Sequence, residues 1–183
     1  MAENSEFHFG GVHHVALVCK DMERTVDFYT NVLGMPLIKT LEIPGGAQHF
    51  FFDCGRGDSV AFFWFPDAPE QAPGVASAKV MPGLGDIRTA HGSMNHLAFT
   101  VPVDKFDEYV AKLKANGVET GPVLNHDDSE STVAHELHPG VFVRSVYFQD
   151  PDGILLEFAA WTREFGADDA LHPAANAAGE RVQ

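Results

Sequence analysis

Basic residues are scarce in this 183-residue chain: 12 lysines and arginines stand against 26 aspartates and glutamates, a formal net charge of −14. Like-charge repulsion then argues against nucleic acid and against anionic membrane surfaces as partners. No run of eighteen apolar residues occurs, and the start Met1-Ala2-Glu3-Asn4-Ser5-Glu6 lacks the basic and apolar regions of a secretory signal. A cytoplasmic protein is the expectation. Cysteine is also scarce, with Cys19 and Cys54 outside any C-x-x-C, so no structural disulfide is expected and both thiols are read as buried and reduced. The chain has no Walker loop, no G-x-G-x-x-G after a strand and no H-E-x-x-H, which removes support for nucleotide-driven chemistry and zincin proteolysis.

What is present suffices for one well-cored domain, since 45% of the residues are hydrophobic. Residues 11–19 read as a strand. Asp21 is placed to cap a helix from Met22 to Leu33, with Gly34 as its stop. Strand-like runs follow at Met35–Glu42, His49–Cys54 and Val60–Phe65, with Pro44-Gly45-Gly46 and Gly55-Arg56-Gly57-Asp58 between them as turns. Residues 67–92 shift to Pro, Ala, Gly and Ser and read as a connector. The order then repeats: a strand over Met94–Val101, a helix from Lys105 to Asn116 capped by Asp104, and strands near Val118–Leu124, Val141–Gln149 and Ile154–Trp161. Asp150-Pro151-Asp152-Gly153 supplies the turn of the last hairpin.

Superimposing the halves brings His14 onto His96, and Gly34 and Gly117 follow them by twenty and twenty-one positions. This internal repeat predicts an α+β fold of two tandem βαβββ modules, cupped around a shared concavity. Residues 1–161 form the domain, with modules at about 10–66 and 93–161; 162–183, with Ala167 and Ala170 among its alanines, is a loosely held extension. Strand parity sets His14, Ala16 and Val18 on one face and His96, Ala98 and Thr100 on the corresponding one, facing the cavity where the modules are expected to meet.

Glu157, embedded in an apolar run, is costly to bury without a partner. Its face is shared with Leu155 and Ala159. His14, His96 and Glu157 thus project from strands as a candidate two-histidine, one-carboxylate metal site with open positions, the set associated with non-haem Fe(II), with Mn(II) or Zn(II) also able to occupy it. The plainer alternative is a pair of core histidines, with Glu157 matched to an arginine such as Arg144. His13, one residue out of phase, is assigned to solvent or to the helix side.

His14-Val15-Ala16-Leu17 leading into Asp21-Met22-Glu23-Arg24, Asn95-His96-Leu97-Ala98-Phe99, and Asp150-Pro151-Asp152-Gly153 with Leu156-Glu157 together resemble the vicinal oxygen chelate superfamily. That superfamily includes glyoxalase I, the fosfomycin and bleomycin resistance proteins and the extradiol dioxygenases. The resemblance implies paired βαβββ modules around a divalent metal. Placing one module's last hairpin on the other sets Phe62 near the position of Glu157, so a fourth protein ligand is missing. Tyr147 and His138, ten and nineteen positions before Glu157, are similar in placement to the assisting Tyr and His of the dioxygenases. The leading expectation is therefore an Fe(II)-dependent extradiol-type ring-cleaving dioxygenase acting on a catechol, with a small molecule and a second copy of the chain as partners. A glyoxalase-like isomerase or lyase, a fosfomycin-type thiol transferase and a non-enzymatic drug binder are the alternatives.

Overall fold

Strand β1 (His14–Cys19) alternates: Leu17 and Cys19 turn inward, while His14, Ala16 and Val18 stay exposed. The computed structural model describes residues 12–166, 169 and 174–178, and the backbone of 181–182. Met1–Glu6, Gly11 at the start of the expected first strand, and Ala167 and Ala170 of the expected extension lie outside the described residues. Asp21 caps helix α1 (Met22–Asp27), its carboxylate accepting the Arg24 N–H at 3.1 Å. The helix widens into a π-helical turn over Phe28–Val32 and stops at Gly34, whose φ of +73° suits a residue without a Cβ.

Strands β2 (Leu37–Ile43), β3 (Ala47–Gly55) and β4 (Asp58–Trp64) complete the first sheet, ordered β1-β4-β3-β2, with β1 and β4 parallel. The second module repeats the plan with β5 (Leu97–Thr100), α2 (Phe106–Ala115), β6 (Leu124–His126), β7 (Val133–Ala134), β8 (Val143–Gln149) and β9 (Leu155–Trp161). Its sheet order is β5-β9-β8-β6-β7, with β5 and β9 parallel. In the tail, β10 (Ala174–Ala175) pairs with β11 (Arg181–Val182).

Some expectations give way locally. Asp104 lies inside a 3-10 turn, Val103–Lys105, and α2 starts without a side-chain cap. The strand expected at Val118–Leu124 contracts to β6, because Pro122 has no N–H for a ladder; only an isolated bridge, Thr120 to Phe148, precedes it. Cys19 is buried but Cys54, near the end of β3, is exposed; both are free thiols.

The larger correction concerns how the modules meet. One apolar core joins them: Met22, Tyr29, Phe52 and Phe62 from the first, Phe106, Leu113, Phe148 and Leu156 from the second. Tyr29 Oη donates to Asp150 Oδ2 and Asn116 Nδ2 to the Val32 carbonyl across the seam. The helix-bearing faces therefore pack together, and the two histidine faces point away from this core instead of onto a common cavity; Ala78 and Met81 of the connector cover part of the second, against Tyr147 and Leu155. Burying the two helix-side apolar faces against each other forms the shared core and leaves the histidine-bearing faces on its outer sides.

Candidate metal centre

In β9, Leu156 and Phe158 turn to the core, so Glu157 is set on the opposite face, beside Ala98 of β5. His96 immediately precedes β5 and reaches the same place. Its Nε2 lies 3.0 Å from Glu157 Oε2, with the carboxylate residue only 5% exposed. Tyr147 is the cross-strand partner of Glu157, and its ring meets the His96 ring edge-on at 5.5 Å. Arg144, the alternative partner for Glu157, instead pairs with Asp107 at 2.9 Å and covers the Phe106 ring.

The tautomer of His96 is set from behind. Asn95 Nδ2 donates to the Ile87 carbonyl at 2.7 Å, which turns Asn95 Oδ1 toward His96 Nδ1 at 2.9 Å. The amide oxygen only accepts, so Nδ1 carries the hydrogen and Nε2, when the ring is neutral, presents its lone pair to the carboxylate. Two acceptors facing each other need a cation between them or a second proton on the ring. A divalent ion fits this donor set, and an asparagine behind the imidazole is the kind of support that metal-binding histidines use.

Burial works to raise the Glu157 carboxyl, but hydrogen bonding and charge from His96, aided by the nearby Ser145 and Tyr147 hydroxyls, hold it below the usual range. Burial and the neighbouring Glu157 push the Tyr147 phenol up to about 12, so at neutral pH it is a donor and not a base. The fully buried Ser145 hydroxyl lies within reach of both groups but makes no aligned hydrogen bond. An orphaned donor there suits a site that takes a further ligand.

Among the described residues no third histidine, cysteine or carboxylate joins the His96–Glu157 pair. His14 is exposed on the other sheet, against His13 and 5.8 Å from the Phe51 ring. His138 is held in a loop: its Nε2 lies 3.1 Å from Asp127 Oδ2 and its Nδ1 accepts the Gly140 N–H. The structure thus brings Tyr147, but neither His14 nor His138, to the pair. Asn95 and Ser145 were missed by sequence reasoning. The signal for Asn95 was its adjacency to a candidate ligand; Ser145 had only its parity with Tyr147.

Register also relocates the missing carboxylate. Ala98 faces Glu157, and the corresponding Ala16 faces Ala61. The equivalent of Glu157 is therefore Ala61 and not Phe62, which points into the core. The absence of a fourth protein carboxylate stands, for a different residue.

Two tandem βαβββ modules, one of them bearing a histidine–carboxylate pair on the sheet face turned away from the shared core, define a chelate-type metalloprotein scaffold. The chain belongs to the Glyoxalase/Bleomycin resistance protein/Dioxygenase superfamily, whose model matches residues 11–158. Among curated relatives, the fosfomycin resistance protein FosX of Listeria monocytogenes is 25% identical over 84% of this chain and 92% of its own length. Lactoylglutathione lyase of Escherichia coli O157:H7 is 30% identical over 79% and 87%. The putative ring-cleaving dioxygenase MhqE of Bacillus subtilis is 28% identical, over 59% of this chain and 32% of its own length. A crystal structure of the Listeria FosX, complexed with Mn(II) and a sulfate ion, superimposes with a TM-score of 0.53 at 23% identity, covering 85% of this chain and 95% of that one.

Proposed function

We propose that this chain is a divalent-metal-dependent enzyme acting on a small substrate with two adjacent oxygens, and that two copies assemble each centre. The observation that carries the proposal is the His96–Glu157 pair, with its tautomer set by Asn95 and no third ligand from its own chain. His14 lies on an outward face of the other module. A second copy, docking its first-module face on the second-module face of this one, supplies it. Exposed apolar residues support such docking: Val18 and Phe65 at the first face, Trp161 and Phe165 at the second. His14, His96 and Glu157 then hold the ion and leave positions for substrate. When bound, the metal acts as a Lewis acid on the substrate oxygens. Tyr147 donates a hydrogen bond beside it, and Ser145 is free to do the same.

Chemistry without dioxygen is the favoured class, of the kind an isomerase, lyase or transferase performs. FosX and lactoylglutathione lyase match along most of their lengths, whereas the dioxygenase relative matches along a third. His138, the residue a dioxygenase reading needs, is occupied by Asp127. Ring cleavage with Fe(II) remains the second reading, favoured by the placement of Tyr147 against both ligands. The test is elemental analysis of protein reconstituted with Mn(II), Zn(II) or Fe(II), joined to oxygen-electrode traces with a panel of catechols. About one ion per chain and no oxygen uptake are expected. Failure to hold any of these metals sinks the proposal; catechol-dependent oxygen consumption with Fe(II) transfers it to the second reading.

A further inference from the structure

His49 is a buried histidine that the metal pair does not use. Only 8% exposed, its ring stacks on Phe63 with centroids 3.6 Å apart and planes 3° from parallel, and it meets Phe51 edge-on at 4.3 Å. Register sets its direction: His49 is opposite Phe63 in β4 and Leu41 in β2, while Phe50 and Phe52 on either side of Phe51 turn into the core. His49 therefore belongs to the face that carries His14. Both imidazoles touch one ring, that of Phe51.

Nδ1 of His49 lies 3.1 Å from the Phe62 carbonyl oxygen. A carbonyl only accepts, so Nδ1 holds the hydrogen and Nε2 keeps its lone pair. Among the described residues the only hydrogen bond of this ring is that one, and no carboxylate pairs with it. The strand partners at its position, Leu41 and Phe63, bring no charge. Imidazole is the side chain suited to proton exchange near neutral pH, and here it is clamped by stacking, fixed in tautomer and unspent at one nitrogen. In a core packing role alone, a phenylalanine or leucine would fill this position without a polar nitrogen left over.

We propose that His49 is the proton acceptor of the shared centre, contributed with His14 by the first-module face. The inference rests on the two-copy reading above. Its substrate is a chelating molecule with an acidic hydroxyl beside a second oxygen, such as a hydroxamic acid, an α-hydroxy ketone or a catechol, carrying an apolar body that suits Phe51, Phe63 and Phe65. In the step, the ligand's O–H bond breaks, its electron pair stays on oxygen, and the proton forms a bond to Nε2, turning the imidazole into an imidazolium. The proton returns when the product leaves.

Acetohydroxamic acid, which must lose its hydroxyl proton to chelate, is the probe, with Zn(II)-loaded protein so that imidazole nitrogens can be observed by NMR. On adding the probe, the His49 Nε2 resonance of the wild-type protein is expected to move from the unprotonated to the protonated position. Calorimetry in two buffers of different ionisation enthalpy should show His49→Gln releasing about one more proton to buffer per probe bound than wild type, at unchanged zinc stoichiometry. An unmoved resonance, equal proton release, or no uptake of the probe by zinc-loaded protein overturns the proposal for His49 while leaving the metal centre standing. Loss of zinc from His49→Gln would make His49 a ligand and overturn it too. If the wild-type protein binds no zinc, the two-copy centre falls and this inference with it. The wild-type spectrum decides even if the variant does not fold.

Discussion

Ala61 and Glu157 hold equivalent places in the two modules: each lies beside the alanine two residues beyond the module's histidine, Ala16 for one and Ala98 for the other. The modules are therefore alike in backbone and unlike in ligands. One offers a lone histidine and the other a histidine with a carboxylate. In the proposed twofold dimer, each first-module face laid on the partner's second-module face would make two identical centres from these unequal halves. His14→Ala and Glu157→Ala should each abolish metal binding. Mixed after reversible dissociation, they should regain roughly a quarter of the wild-type sites, because half the dimers are mixed and each mixed dimer has one intact centre. Elemental analysis of the reassembled mixture measures this, and no recovery at all would mean that each centre is built within one chain.

Asn95 holds the Nδ1 hydrogen of His96 while its own amide is anchored on the Ile87 carbonyl. Removing that support frees the ring to rotate and to exchange tautomers without touching a ligand atom. Asn95→Ala should weaken metal affinity by about ten- to a hundredfold with little change in thermal stability. Competition against a chromogenic chelator reads the affinity. An unchanged constant would show that strand geometry alone orients His96.

Much of this was legible in the residues themselves. The repeat of His14 and His96 and the alternation of β1 and β5 specified which side chains share a face, and Asp21 and Gly34 marked the first helix. What could not be read was which faces of the two modules would meet, because parity distinguishes two sides of a sheet without saying what covers either. The core chose the helical sides, where Tyr29, Phe62 and Phe148 lie. The error of one residue between Phe62 and Ala61 has a similar origin. Hairpin length is not fixed by sequence spacing, and only the β1–β4 register reveals it. Asp127 claiming His138 across a loop leaves no periodic signal.

Phe62 is fully buried and packs its ring 4.8 Å from Tyr29 and 6.1 Å from Phe52. Phe62→Ala should therefore cost about 3–5 kcal/mol of folding stability, through lost burial and the cavity left at the module seam. Urea unfolding provides the measurement. A loss below about 1 kcal/mol would mean that the seam closes over the gap, contrary to a close-packed core.

Asp150 joins the modules in a way that makes stability depend on pH with an unusual sign. Its Oδ1 accepts the N–H groups of Asp152 and Ile154, both at 2.9 Å, and Oδ2 accepts from Tyr29 Oη at 3.3 Å. Burial raises its pKa from 3.8 to about 6, outweighing those hydrogen bonds. Between these values the folded chain holds a proton that the unfolded chain has lost. Stability contributed by Asp150 is thus fully present below pH 3.8, falls as pH rises toward 6, and is constant above it. The size of the fall is about 2–3 kcal/mol for a carboxyl so little exposed. Other carboxylates titrate in the same range, so the informative quantity is the wild-type unfolding free energy minus that of Asp150→Asn, taken by urea at pH 4, 5, 6 and 7. This difference should decline through the acidic window and level off near neutrality. In Tyr29→Phe, which removes a bond favouring the ionised form, the decline should extend to higher pH. A flat difference across the whole range would show that Asp150 ionises as an ordinary carboxyl and that the Tyr29 contact carries no pH dependence.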